Sequence, residues 1–104
     1  MIFKDGVKIN GVKTEIALAL IACNNVFNTH NKQMVVTSVV DGKHSLTSLH
    51  YVGFAFDLRG STSWGYTESE LALIKKDLLE SLTDEFDVVL EKDHYHIEFQ
   101  PKRY

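Results

Sequence analysis

The chain has 104 residues, of which 44% are hydrophobic and 24% are charged, and its formal net charge is −3. This composition is that of an ordinary globular protein, and the length leaves room for one domain. The sequence lacks the basic excess that binding to a phosphate backbone uses, so we expect no nucleic-acid partner. The single cysteine, Cys23, cannot form an internal disulfide and offers no cysteine cluster for a structural metal.

No segment has the length or pattern of a membrane anchor. The longest apolar run, Ile16–Cys23, has eight residues, whereas a membrane-spanning helix needs about 20. The N-terminus shows neither the charge pattern nor the cleavage site of a secretory signal. We therefore expect a monomer without a membrane span that is cytoplasmic as synthesised.

Two segments have the periodicity of helices that pack on a core. In Thr14–Phe27 the apolar residues recur three or four positions apart, and Thr14 is a candidate N-cap. Thr67–Glu70 has the sequence of a capping box. It precedes a second apolar stripe, which comprises Leu71, Ile74, Leu78 and Leu82. The sequence therefore predicts two helices that each bury one face.

Other segments have the pattern of strands. Met34–Val40 is rich in β-branched residues, which favour strands. Phe54–Arg59 alternates with period two, so Asp57 and Arg59 share its polar face. Between this strand and the second helix, Trp64 and Tyr66 could either line a groove or pack on the domain.

The last part of the chain predicts a hairpin. An apolar run at 88–90 is followed by a polar tip at 91–93 and by the alternating segment His94–Phe99. His94, His96 and Glu98 share the polar face of that segment. Two helices with a small, mostly antiparallel sheet make an α+β domain.

Three residues have the chemistry of metal ligands. His50, Asp57 and His96 can converge if the strand 54–59 lies beside the strand 94–99. Two imidazoles and one carboxylate leave a fourth position open, which is the arrangement of catalytic zinc. Non-haem iron uses the same ligand types, so the ligands alone do not select the metal.

Two motifs resemble those of a known family. Ser48–Asp57 matches the pattern S-x-H-x-x-G-x-A-x-D of the zinc D-Ala-D-Ala carboxypeptidases and L-alanyl-D-glutamate endopeptidases, a family that includes many phage endolysins. The family's second motif has an acidic residue three positions before a histidine, and Asp93–Glu98 fits it. The resemblance implies a fold like that of the hedgehog and DD-peptidase proteins, with a single zinc peptidase domain over residues 1–104.

The resemblance also implies a role for individual residues. Zinc would be bound by His50, Asp57 and His96, and Asp93 would be the general base. His94 would lie in the same cleft and bind substrate or stabilise the anionic intermediate. Glu91 is the alternative base, because it stands three residues before His94, and it would take that role if His94 bound the metal.

The substrate-binding end of the site departs from the family pattern. The family usually carries an arginine shortly after a Thr-Ser strand, which Thr37-Ser38 resembles, but residues 39–44 contain none. Lys43 or His44 could supply the cation, and Ser48 is a further candidate for substrate binding. A carboxypeptidase must hold a free terminal carboxylate, which arginine does well, so the absence favours the endopeptidase reaction.

The expected function is zinc-dependent cleavage of the peptide stems of bacterial peptidoglycan. The protein would act as a phage-type endolysin, reaching the cell wall after its release. Two alternatives stay open. One is a zinc-binding module without activity, and the other is a structural component of a phage that keeps the same fold.

Overall fold

A computed structural model of the chain describes residues 1–9, 14–40 and 54–100. Within these residues it is an α+β structure with two helices and a five-stranded sheet. The strand order is β1-β2-β3-β5-β4. The strands are β1 (Ile2–Phe3), β2 (Val35–Val40), β3 (Phe54–Arg59), β4 (Phe86–Leu90) and β5 (His94–Phe99).

The first helix, α1, spans Thr14–Thr29. It confirms the predicted helix and extends it by two residues. The chain turns beyond its end at Asn31, whose φ of 58° lies in the left-handed region. Asparagine tolerates this conformation better than most residues. At the same end of the helix, the His30 ring lies 2.6 Å from an Asp77 carboxylate oxygen.

The second helix, α2, spans Glu68–Ser81 and begins with the predicted capping box. The Glu70 backbone N–H donates to the Thr67 hydroxyl at 3.0 Å, and the Thr67 N–H donates to the Glu70 carboxylate at 2.9 Å. Two amide groups that the first helical turn leaves unpaired are thereby satisfied. All four residues of the predicted apolar stripe are buried.

The sheet is antiparallel except at one edge, where β1 pairs with β2 in parallel. The sequence did not predict β1, because two residues are too few to show a periodic pattern. The bounds of β3 and β5 are those predicted, and the hairpin strand β4 begins two residues earlier, at Phe86.

The core lies between the helices and one face of the sheet. It includes Tyr95 and Ile97 of β5, which are fully buried. The opposite face of β5 carries His94, His96 and Glu98, which are only partly buried. The predicted division of this strand into an apolar and a polar face is therefore confirmed. Among the residues described, neither helix is long and apolar enough to cross a membrane.

Candidate functional site

The polar face of the sheet brings two of the predicted metal ligands together. Strands β3 and β5 are antiparallel neighbours, as the ligand hypothesis required, and Asp57 stands opposite His96. Asp57 Oδ1 lies 2.8 Å from His96 Nδ1. Both side chains are partly exposed, at 24% and 32%. A carboxylate and an imidazole from distant parts of the chain thus meet where solvent or a ligand can reach them.

Glu98 orients the His96 ring from the other side. Its Oε1 lies 3.1 Å from His96 Nε2. Because Glu98 follows His96 by two residues in β5, both side chains stand on the same face of the strand. The imidazole is therefore held between two carboxylates, with Nδ1 towards Asp57 and Nε2 towards Glu98.

His94 stands on the same face and contacts both candidate bases. Its Nδ1 lies 2.7 Å from Asp93 Oδ1, and its Nε2 lies 2.9 Å from Glu91 Oε1. The distance from His94 Nε2 to Asp57 Oδ2 is longer, at 3.8 Å. His94 is thus linked to both acids of the hairpin tip and lies farther from Asp57 than His96 does.

These contacts shift the pKa values of His94, His96 and Asp93. The hydrogen bond to Asp93 raises the pKa of His94, and the negative charges of Asp57 and Glu91 act in the same direction, against partial burial. Burial lowers the pKa of His96, but hydrogen bonds to Glu98 and Asp57 more than offset this effect, so the pKa is raised. The His94 hydrogen bond lowers the pKa of Asp93, which is therefore ionised at neutral pH.

A β-bulge shapes the neighbouring strand. The register between β2 and β3 shifts between Val36 and Ser38, so that Ser38 is the partner of Asp57. The Thr37 hydroxyl donates to the Asp57 carbonyl oxygen at 3.4 Å. A bulge places an extra residue on one strand and redirects its side chains. Both Thr37 and Ser38 consequently line the cavity beside Asp57.

This cavity, which we call the polar cleft, has a volume of about 340 Å³. It is lined by Lys4, Thr37, Ser38, Asp57, Arg59, Trp64, Asp93 and His94. Asp93 lines it together with Asp57, whereas Glu91 lines another cavity. Glu91, however, contacts His94 Nε2, the ring nitrogen that also lies 3.8 Å from Asp57, so both candidate bases stand near Asp57.

Sequence reasoning missed two cations of the polar cleft. Lys4 reaches it because its backbone N–H donates to the Val36 carbonyl at 2.9 Å, which continues the β1–β2 pairing. Arg59 follows Asp57 by two residues, and its guanidinium carbon lies 3.8 Å from the centroid of the Trp64 ring. The alternation of β3 indicated that Arg59 lies on the same face as Asp57, but nothing in the sequence indicated that Lys4 lies near them.

The two aromatic residues after β3 have different roles. Trp64 is 57% exposed and lines the polar cleft. Tyr66 is buried and packs edge-on against Phe27, with ring centroids 6.5 Å apart. Of the two readings left open for these residues, lining a cavity fits Trp64 and packing on the domain fits Tyr66.

Four predicted site residues lie outside the described part of the chain. They are Lys43, His44, Ser48 and His50. Within residues 1–9, 14–40 and 54–100, no three His, Cys, Asp or Glu side chains are arranged to hold a metal ion. The described residues therefore provide two members of the predicted ligand set, Asp57 and His96.

The two described ligands fit zinc in their chemistry. Carboxylate oxygen and imidazole nitrogen are both zinc donors, and here they face one another at 2.8 Å. Histidine ligands of zinc usually have their second ring nitrogen hydrogen-bonded to a carboxylate or a carbonyl, which fixes the ring. Glu98 is placed to do this for His96. Asp57 and His96 could thus supply two donors to a zinc ion, with Glu98 as the carboxylate that orients the His96 ring.

Comparison of the chain with known protein families, curated proteins and solved structures gave no significant match.

Proposed function

We propose that this protein is a zinc-dependent peptidase that cleaves the peptide stems of bacterial peptidoglycan. The observation that carries the proposal is the contact between Asp57 and His96. Asp57 belongs to the first sequence motif and His96 to the second, and the two residues are 39 positions apart. Asp57 Oδ1 and His96 Nδ1 nevertheless lie 2.8 Å apart. A chance match of either motif gives no reason for the two residues to meet on one face of the sheet.

In this mechanism zinc would be held by His50, Asp57 and His96. When bound, zinc polarises the scissile carbonyl and lowers the pKa of water, so that a nucleophile forms near neutral pH. Glu98 keeps the ring of His96 in position through its hydrogen bond to Nε2. The remaining work, proton transfer and binding of charge, falls to side chains of the polar cleft.

Asp93 is the proposed general base. It is ionised at neutral pH, is 68% exposed and lines the polar cleft with Asp57. It would accept a proton from the attacking water and return it to the amine that leaves. His94, whose raised pKa favours the protonated form, is hydrogen-bonded to Asp93 and offers positive charge to the anionic intermediate.

The biological setting follows from the same resemblance. We propose a phage-type endolysin that acts on the cell wall after its release. Two alternatives differ in activity: a zinc-binding module without catalysis and a phage structural component with the same fold. Both alternatives predict that the polar cleft is present but that no substrate is cleaved. A measurement of zinc binding alone therefore does not distinguish either of them from an enzyme.

The decisive experiment is digestion of purified peptidoglycan, with the products identified by mass spectrometry. We expect new stem-peptide fragments with the zinc-loaded protein and none after removal of the metal by a chelator. A peptide ending in D-Ala-D-Ala and intact stems that contain L-Ala-D-Glu, assayed in parallel, identify the bond. If the zinc-loaded protein releases nothing from any of these substrates, the proposed enzyme is wrong and a module without activity replaces it.

A further inference from the structure

The polar cleft has a cationic end that the proposed catalytic residues do not use. Lys4 and Arg59 line it together with Asp57 and His94. We propose that Arg59, assisted by Lys4, binds the free C-terminal carboxylate of the peptide substrate. This inference rests on the proposed peptidase function, and it names the substrate class as peptides with a free C-terminus.

The position of Arg59 suits an anchor beside the reacting bond. Arg59 and Asp57 are two residues apart on the same face of β3, which separates their Cα atoms by about 6.6 Å. Across the sheet, Arg59 is the partner of His94. A carboxylate bound by Arg59 would therefore lie in the cavity that Asp57, a proposed metal ligand, also lines.

Trp64 holds the guanidinium without using its hydrogen-bond donors. The guanidinium carbon of Arg59 lies 3.8 Å from the centroid of the Trp64 ring, which is within the range of a cation–π contact. The ring attracts the charge through its π face and accepts no conventional hydrogen bond. The contact therefore leaves the N–H groups of Arg59 for a ligand, and a guanidinium can bind a carboxylate through two parallel donors.

Lys4 and Arg59 form no ion pair with another side chain in the described part of the protein. Among residues 1–9, 14–40 and 54–100, no carboxylate forms an ion pair with Lys4 or Arg59. The carboxylates nearest the cleft are instead engaged by the two histidines of β5. A substrate carboxylate could thus bind Arg59 without first displacing a described ion pair.

The surrounding charge favours a carboxylate over a phosphate. Guanidinium binds either group, but Asp57 and Asp93 line the same cleft. Their negative charge opposes a dianion more strongly than a monoanion. A single peptide carboxylate is therefore the better ligand. Arg59 would take the role of the arginine missing from residues 39–44, which removes the reason for preferring the endopeptidase reaction.

The test is a binding titration of the metal-free protein by NMR, which does not depend on catalysis. The probes are D-alanyl-D-alanine, its C-terminal amide and inorganic phosphate at equal ionic strength. We expect the dipeptide to shift the side-chain N–H signals of Arg59 and Trp64, and to bind at least about tenfold more tightly than its amide. Phosphate should bind more weakly than the dipeptide.

Three variants test whether the dipeptide binds to Arg59 specifically or is only attracted by positive charge on the protein. Arg59→Lys keeps the charge but loses the planar fork, and we expect dipeptide affinity to fall about tenfold. Lys4→Gln should lower it less. Lys76→Gln, which removes the same charge from an exposed position on α2, should leave it unchanged. Backbone amide spectra of each variant verify the fold.

The outcomes distinguish this inference from the proposed function. Equal binding of the dipeptide and its amide, equal binding of phosphate, or full affinity in Arg59→Lys would overturn the anchor, even if stem peptides are cleaved. If the dipeptide binds with the expected dependence on Arg59 but no peptide is cleaved, the anchor is correct and the peptidase function is wrong.

Discussion

Asp57 and His96 face each other across two antiparallel strands, with Oδ1 and Nδ1 2.8 Å apart. Each belongs to a strand whose other face is buried in the core. The alternation that buries Phe56, Tyr95 and Ile97 therefore also fixes the direction of the two polar side chains. The contact depends on register, since a shift of either strand by one residue would turn its polar side chain into the core.

The first prediction concerns the metal. We expect the purified protein to bind about one zinc ion per chain, and His50→Ala, Asp57→Ala and His96→Ala each to lose it, because two ligands bind zinc weakly. His30→Ala, which changes a histidine that contacts Asp77 and does not line the polar cleft, should keep it. Metal analysis decides the matter. Loss of zinc in His94→Ala with full zinc in His96→Ala would show that His94 is the ligand.

The second prediction separates the two candidate bases. Asp93→Asn should retain zinc and fold but lose activity by about 100-fold or more, the typical contribution of general acid–base catalysis. Glu91→Gln should have a much smaller effect, because the motif assigns the base to Asp93, which lines the polar cleft with Asp57. Asp84→Asn, at an exposed turn, is the matched control. Initial rates on stem peptides measure all three, and a larger loss in Glu91→Gln would assign the base to Glu91.

The third prediction concerns the backbone next to the cleft. Gly60 follows β3, and a Cβ atom at this position would lie 2.6 Å from the Tyr95 ring. Tyr95 is fully buried and donates a hydrogen bond to the Leu71 carbonyl, so the ring has little room to move. We expect Gly60→Ala to lower the free energy of unfolding by about 1–3 kcal/mol.

Urea unfolding measures this change, and a double variant identifies its cause. In a Tyr95→Leu background the aromatic ring is absent, so adding Gly60→Ala should cost less than it does in the native sequence. Equal costs in the two backgrounds would mean that the clash with Tyr95 is not the reason.

The fourth prediction concerns pH and the cap of α2. The hydrogen bond from the Thr67 backbone lowers the pKa of Glu70, and Lys32 acts in the same direction. A carboxyl group whose pKa is lower in the folded state stabilises that state above its unfolded pKa, and this contribution is lost as pH falls through the folded pKa. Glu70→Gln should therefore be less stable than the native protein at neutral pH, and the difference should shrink as the pH falls below the ordinary pKa of glutamate and through the lowered pKa of Glu70.

Unfolding curves at several pH values measure this difference. Glu80→Gln, which changes an exposed carboxylate at the other end of α2, is the control and should show no such loss. A constant difference between Glu70→Gln and the native protein at all pH values would contradict the role of the Glu70 charge.

The sequence alone determined the local structure and the faces of the elements. The capping box at Thr67 and the bounds of β3 and β5 were predicted because they depend on near neighbours and on the burial of one face. The same alternation placed Asp57 and His96 on polar faces. The resemblance then gave these residues a chemical role, which stays a prediction.

Only the tertiary structure decided which of these polar groups meet. The pairing of β1 with β2, which brings Lys4 to the cleft, involves two residues and leaves no periodic signal in the sequence. The bulge at Thr37 depends on strand register, and the cation–π contact of Arg59 with Trp64 depends on the path of the chain after β3. Periodicity reports whether a face is buried, but the neighbour across a sheet is chosen by packing of the whole domain.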